Sequence, residues 1–171
     1  MNSPISYPHH LPTHGNHRPI WPKFGEYKFL PAQRWLHNIE HGAVVMLYHP
    51  CTHPATVQTL RALVTGCIRK HIITPSTNLP EDRPLALVAW GCRMMMAEVD
   101  EDKVINFIRE KGLKGPEVSP TKSVVAVDVT MLFSFQGEIP KEGQYTHQLL
   151  QLASPPPGSD MKDSNLCPNF T

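Results

Sequence analysis

Residues 43–48, AVVMLY, form an unbroken apolar run, and Pro54 follows after a short polar turn. A run this short and this continuously apolar fits a strand buried on both faces. Proline suits the first turn of a helix, where its missing N–H loses no partner. Val57, Leu60, Val64, Cys67 and Ile68 then recur at helical spacing as far as Lys70, and residues 71–74 read as a second strand. Strand, long helix, strand demands a parallel pair joined by a right-handed crossover. No other feature narrows the fold as far, and it makes 43–48 a central, doubly buried strand.

The flanking segments fit around that unit. Residues 32–41, after Pro31, predict a short helix that stops at Gly42, the residue best suited to a left-handed position. Residues 84–90 and 93–99 predict two strands split by Gly91, and such short connections pair strands antiparallel. Met94, Met95 and Met96 would then point to alternate faces and fill core. Asp100 caps a predicted helix with Glu101 and Asp102 in its first turn, Val104, Ile105 and Ile108 as its buried stripe, and Gly112 as its stop. Residues 123–135 form one more β-rich run. The expected fold class is α/β of mixed α+β character, a small mixed sheet flanked by helices. At 171 residues the chain fits one domain.

Both ends differ in composition from this middle. Eighteen prolines punctuate the chain, and eight of its ten histidines fall in the first 53 residues. Residues 1–31 carry six of the prolines interleaved with Tyr7, Ile20, Trp21, Phe24, Tyr27 and Phe29. Large rings have no use in a solvated linker, so this segment is expected to be an extended arm laid over the domain. Residues 32–136 make the α/β domain. Residues 137–171 are expected to be a tail, with the compositional break at Ser154.

Charge excludes some partners. The net charge is +1 and 18% of residues are charged, so no basic field exists to hold nucleic acid. The runs 43–48 and 84–90 fall far short of the ~20 apolar residues that span a bilayer, so no transmembrane helix is expected. Residues 1–12 lack the apolar stretch of a signal peptide, which leaves a cytoplasmic location open.

The strongest chemical signal is His37-Asn38-Ile39-Glu40-His41, which fits H-x-x-E-H. In that motif two His one helical turn apart ligate zinc and the Glu serves as base. Trp35 and Ile39 lie on one side of the helix and His37 and His41 nearly opposite, so packing the first pair turns the second outward. Stable binding needs a third ligand, and His17 is expected to supply it from the arm. Glu40 would be base, fourth ligand or hydrogen-bond acceptor. The competing assignment is an exposed pair favoured by the helix dipole and capping its carbonyls. Cys51, flanked by His49 and His53 before a helix N-terminus, is a candidate nucleophile, against the commoner fate of a buried structural thiol. Cys51 and Cys67 cannot pair across an intact helix, since ~14 residues at ~1.5 Å separate them by about 20 Å. Cys67 with Cys92 is the bridge expected. Asn169-Phe170-Thr171 is a glycosylation sequon, usable where the chain enters the secretory pathway.

These residues carry family resemblances. The segment from 43 to 112 resembles a reduced thioredoxin-like fold, with Pro84 entering an apolar strand, but it lacks the helix between the second and third strands and has CTHP at 51–54 where an oxidoreductase has two Cys. LYHPCTHP at 47–54 and DRPLALVAWG at 82–91 resemble the p53-inducible protein 13 family. Tyr7, Pro12-Thr13, Gly15-x-His17, Gly25, Tyr27 and Leu36-His37-x-x-Glu40-His41-Gly42 are similar to domain of unknown function 3105. The resemblance implies a stress-induced, growth-restraining, tumour-suppressor-like interaction protein with no assigned catalytic activity and an unidentified protein partner. It also implies a membrane-anchored family whose ectodomain sits in the membrane or secretory pathway. The alternative from the residues themselves is a metal-dependent hydrolase using His37, Glu40 and His41.

Overall fold

The computed structural model describes residues 5–118 and 149–170. Its elements are β1 (Gly25–Tyr27), α1 (Ala32–Glu40), β2 (Val44–Tyr48), α2 (Pro54–Cys67), β3 (His71–Pro75), β4 (Leu85–Ala89), β5 (Cys92–Met96), α3 (Glu101–Lys111) and β6 (Leu149–Leu152). The β-rich run at 123–135 lies outside the described residues. The strands form one mixed sheet in the order β5-β4-β2-β3-β1-β6. β2 pairs parallel with β3, Val45 opposite Ile72, and antiparallel with β4, Val45 opposite Val88. The crossover unit therefore lies at the sheet centre, with Val44, Val45, Met46 and Leu47 at most 1% exposed. Among the described residues no helix is long and apolar enough to cross a membrane.

The period-two alternation along the strands builds two cores. Val44, Met46, Ile73, Leu85 and Leu87 face α2 and α3, which bury Leu60, Val64, Val104 and Ile108 against them. Val45, Leu47, Ile72, Ala86 and Val88 face the other way, onto Trp35, Leu36 and Ile39 of α1 and Leu11 of the arm. As the sequence indicated, no helix lies between β3 and β4. Here α1, which precedes the central strand in sequence, and the N-terminal segment cover this second face. Met94 and Met96 join the first core and Met95 the second, as strand alternation requires. Asp100 caps α3 by accepting from the Lys103 N–H, and Gly112 follows its last turn.

Segments near both ends of the chain join the body. Gly25–Tyr27 pairs parallel with β3 and antiparallel with β6. Gly25 has φ +145°, and a Cβ there would strike the Gln151 carbonyl, so the close approach of these two strands demands glycine. Beyond β6 the chain returns to α2 and α3. The expected Cys67–Cys92 bridge is overturned: Cys67 is bonded to Cys167, and Cys92 at the head of β5 is free. Asp163, 2% exposed, accepts from the N–H groups of Arg69 (2.5 Å) and Lys70 (2.9 Å). Burial still raises its pKa above the ordinary carboxylate value, against the pull of those two donors.

Candidate metal centre

The arm is stitched to α1 by main-chain and side-chain bonds. Arg18 N–H donates to the Gln33 carbonyl (2.8 Å), Asn38 Nδ2 donates to the Pro22 carbonyl (2.9 Å), and Arg34 donates to the Ile20 carbonyl (3.1 Å). Further along, Gly91 N–H donates to the Thr13 carbonyl and Arg93 to the Leu11 carbonyl. This fixes residues 18–22 along α1 and residues 11–13 against Gly91 and Arg93 of the β4–β5 hairpin. Trp35 and Ile39 are 2% and 0% exposed, so the opposite side, with His37 and His41, meets the arm.

His17 lands beside the helix. Its Nε2 lies 3.0 Å from Glu40 Oε2, and its ring centroid 4.9 Å from that of His37. Ligand atoms of His17, His37 and Glu40 all fall within 4.8 Å of one another. His41 touches the group through His37, Nε2 to Nε2 at 3.1 Å, and its Nε2 also lies 3.3 Å from Glu117 Oε2. Trp21 stacks over the pair, 5.5 Å from the His37 ring centroid and 4.5 Å from that of His41.

The hydrogen bonds decide which nitrogens are open. His17 Nδ1 sits 2.8 Å from the Gly15 carbonyl and His37 Nδ1 3.0 Å from the Arg18 carbonyl. A carbonyl can only accept, so both Nδ1 atoms carry hydrogen, and in the neutral form of each ring the lone pair is at Nε2. The His17 lone pair then faces a carboxylate oxygen. Two acceptors at 3.0 Å need a proton or a cation between them. His37 Nε2 is likewise an acceptor, so the hydrogen in its contact with His41 belongs to His41, which Glu117 also attracts. Burial, and next the neighbouring His37, lower the His41 pKa, while Glu117 and Glu40 oppose the shift.

Two imidazoles and a carboxylate are a donor set that could hold a small divalent ion. A tetrahedral centre with ~2.0–2.1 Å bonds spaces its ligand atoms roughly 3.3 Å apart, and the His17–Glu40 edge, at 3.0 Å, comes near that. Among the described residues, the rings of His37 and His41 contact other side chains and the arm, not the last carbonyls of α1.

Cys51 is elsewhere. It is exposed, in the turn before α2, with its N–H donating to His49 Nδ1. His53 caps α2 by accepting from the Ala55 N–H (3.2 Å), which occupies one of the amides expected to favour a thiolate. α2 packs on the sheet face opposite α1, and among the described residues no contact joins Cys51 to the histidine cluster. Glu40 and Cys51 therefore do not form one site. Two participants were not singled out from sequence. Trp21 was visible as an arm aromatic without a role. Glu117 is brought in by residues 113–118, which fold back on the end of α1: Leu113 N–H donates to the Gly42 carbonyl and Glu117 N–H to the Glu40 carbonyl. The local signal was Gly115, where any Cβ would strike the Glu40 carbonyl.

Comparison with known proteins agrees with the motif pattern. The tumor protein p53-inducible protein 13 of Rattus norvegicus is 39% identical over 57 residues, covering 33% of this chain and 15% of that protein. Its Mus musculus counterpart is 31% identical over 68 residues, covering 40% of this chain and 18% of that protein. The chain thus spans less than a fifth of the length of these curated relatives. No solved structure matches it. Residues 1–123 match the model of the family described as protein of unknown function (DUF3105), and the chain belongs to that family.

Proposed function

We propose that this chain is a metal-clasped interaction domain, in which His17, His37 and Glu40 hold zinc and His41 adjoins them, locking the arm onto α1. The observation that carries this reading is the convergence of one ligand atom each from His17, His37 and Glu40 within 4.8 Å, with both Nδ1 atoms already held by main-chain carbonyls. Such outer bonds fix the ring and raise its basicity at metal centres. Trp21 lies over the imidazoles of His37 and His41. The clasped surface would serve a protein partner, in a regulatory role of the kind that the p53-inducible name of the relatives suggests. Growth restraint is the biological setting we assign to it.

The hydrolase alternative is weaker on the same geometry. A base must be free of the metal, and Glu40 points its Oε2 at His17 within ligand spacing. With Oε2 engaged by His17, only Oε1 is left to take a proton from a water at the cluster.

The test is elemental analysis of the full chain purified without chelator and supplied with zinc, followed by limited proteolysis of residues 5–31. Near-stoichiometric zinc is expected, with His37→Ala and His17→Ala each losing it and exposing the arm to protease. Metal-free protein, together with unchanged arm protection in His37→Ala, overturns the reading.

A further inference from the structure

We infer that Asn169 is an acceptor for an N-linked glycan, and that this chain matures in an oxidising, glycosylating compartment. Two independent features point there. The first is the bond between Cys67 and Cys167, 100 positions apart in sequence. Both cysteines are buried, 0% and 1% exposed, so thiols in solution have no path to the finished bond, and it is a structural one. A cytosolic thiol pool would keep the two reduced before they could be buried. The second is Asn169-Phe170-Thr171, an N-x-T sequon that starts two residues after Cys167.

The local geometry accommodates the modification. Asn169 is exposed, and its Nδ2 donates a hydrogen to the Pro157 carbonyl at 3.0 Å. Glycosyl transfer forms a bond from Nδ2 to C1 of the first sugar and breaks the C1–O bond of a lipid-pyrophosphate-linked oligosaccharide. The lipid pyrophosphate leaves, and one Nδ2 proton passes to the transferase base. Where the sugar replaces the hydrogen that does not face Pro157, the remaining one keeps that bond.

The same geometry sets the order of events. Cys167 N–H donates to the Cys67 carbonyl, Phe170 N–H donates to the Cys167 carbonyl, and the Phe170 ring lies against Gly66. A transferase needs an extended acceptor, whereas the closed segment is turned and docked. Transfer must therefore precede closure of the Cys67–Cys167 bond, and anything that delays closure raises occupancy.

The experiment expresses the full chain in cultured animal cells behind a cleavable secretion signal and reads residue 169 by peptide mass spectrometry with and without enzymatic deglycosylation. A glycan on Asn169 is expected, absent in Asn169→Gln and Thr171→Ala and more abundant in Cys167→Ser. Unmodified Asn169 in lumenal or secreted wild-type protein overturns the assignment. Modification in Cys167→Ser alone overturns it too, because closure would then outrun transfer in the native chain.

Discussion

Replacing Cys167 with serine removes a cross-link whose stabilising effect follows from the length of chain it encloses. A bond between residues 100 positions apart restricts the unfolded chain by about 2.1 + 1.5R ln n cal/mol/K, which at n near 100 amounts to roughly 4.7 kcal/mol at 25 °C. A domain of this size loses about 2–4 °C of Tm per kcal/mol, so the expected fall is on the order of 14 °C. Part of the effect is local. The Arg69 and Lys70 amides donate to Asp163, four residues before the bond, and Leu166 and Phe170 pack on the core under α2 and α3. The assay is thermal and urea unfolding in a Cys51→Ala background, which removes the exposed thiol, with hydrogen exchange at the Arg69 and Lys70 amides as the local readout. Cys67→Ser with Cys167→Ser should cost little more than either alone, since both break one bond. A Tm fall under about 3 °C in the single variant, or full additivity in the pair, would refute the loop argument.

Three further outcomes follow from single contacts. His71 is 4% exposed with its Nδ1–H donated to the Ile68 carbonyl (2.6 Å), and burial chiefly lowers its pKa. The unfolded state then binds the proton first, so its contribution is complete above about pH 6.5 and declines as pH falls toward the folded value, by at most ~1.4 kcal/mol per pH unit. His71→Asn should flatten the loss of urea stability between pH 7 and 5, and an unchanged slope contradicts this. Gly115→Ala places a methyl against the main-chain carbonyls of Ile39 and Glu40 and should cost about 1–3 kcal/mol by thermal unfolding, whereas Gly66→Ala meets the movable Phe170 ring and should cost less. His53→Ala removes the side-chain cap of α2 and should lower stability by about 1 kcal/mol in urea titration.

What could be read from sequence was what depends on neighbours in the chain. α3 shows its cap at Asp100, its buried Val104, Ile105 and Ile108, and its stop at Gly112, because a capping oxygen and a 3.6-residue stripe act within one or two turns. β2 was legible for the same reason, as an apolar run whose both faces had to be covered. The outward side of α1 followed from helical geometry, and with it the pairing of His37 with His41. The disulfide did not follow. Cys67 sees Cys92 and Cys167 alike along the chain, and the choice between them rests on how residues 153–167 cross α2 and α3, which no local pattern encodes.

The candidate centre shows the same division on a smaller scale. His37 and Glu40 share a helix, so their spacing is visible in one motif. His17 reaches them through main-chain bonds made by its neighbours, Arg18 to Gln33 and Pro22 to Asn38, and Glu117 through a return of the chain that only Gly115 permits. Asn38 carries much of this. It lies inside the H-x-x-E-H motif, is fully buried, and spends its amide on the Pro22 carbonyl while its Oδ1 has no partner among the described residues. A buried amide half satisfied costs stability, and that cost is sensible where the group holds the arm, with His17 and Trp21, over the two imidazoles. The motif thus carries three kinds of residue at the end of one short helix: His37, Glu40 and His41 at the cluster, Ile39 in the core, and Asn38, which fastens the segment that supplies His17.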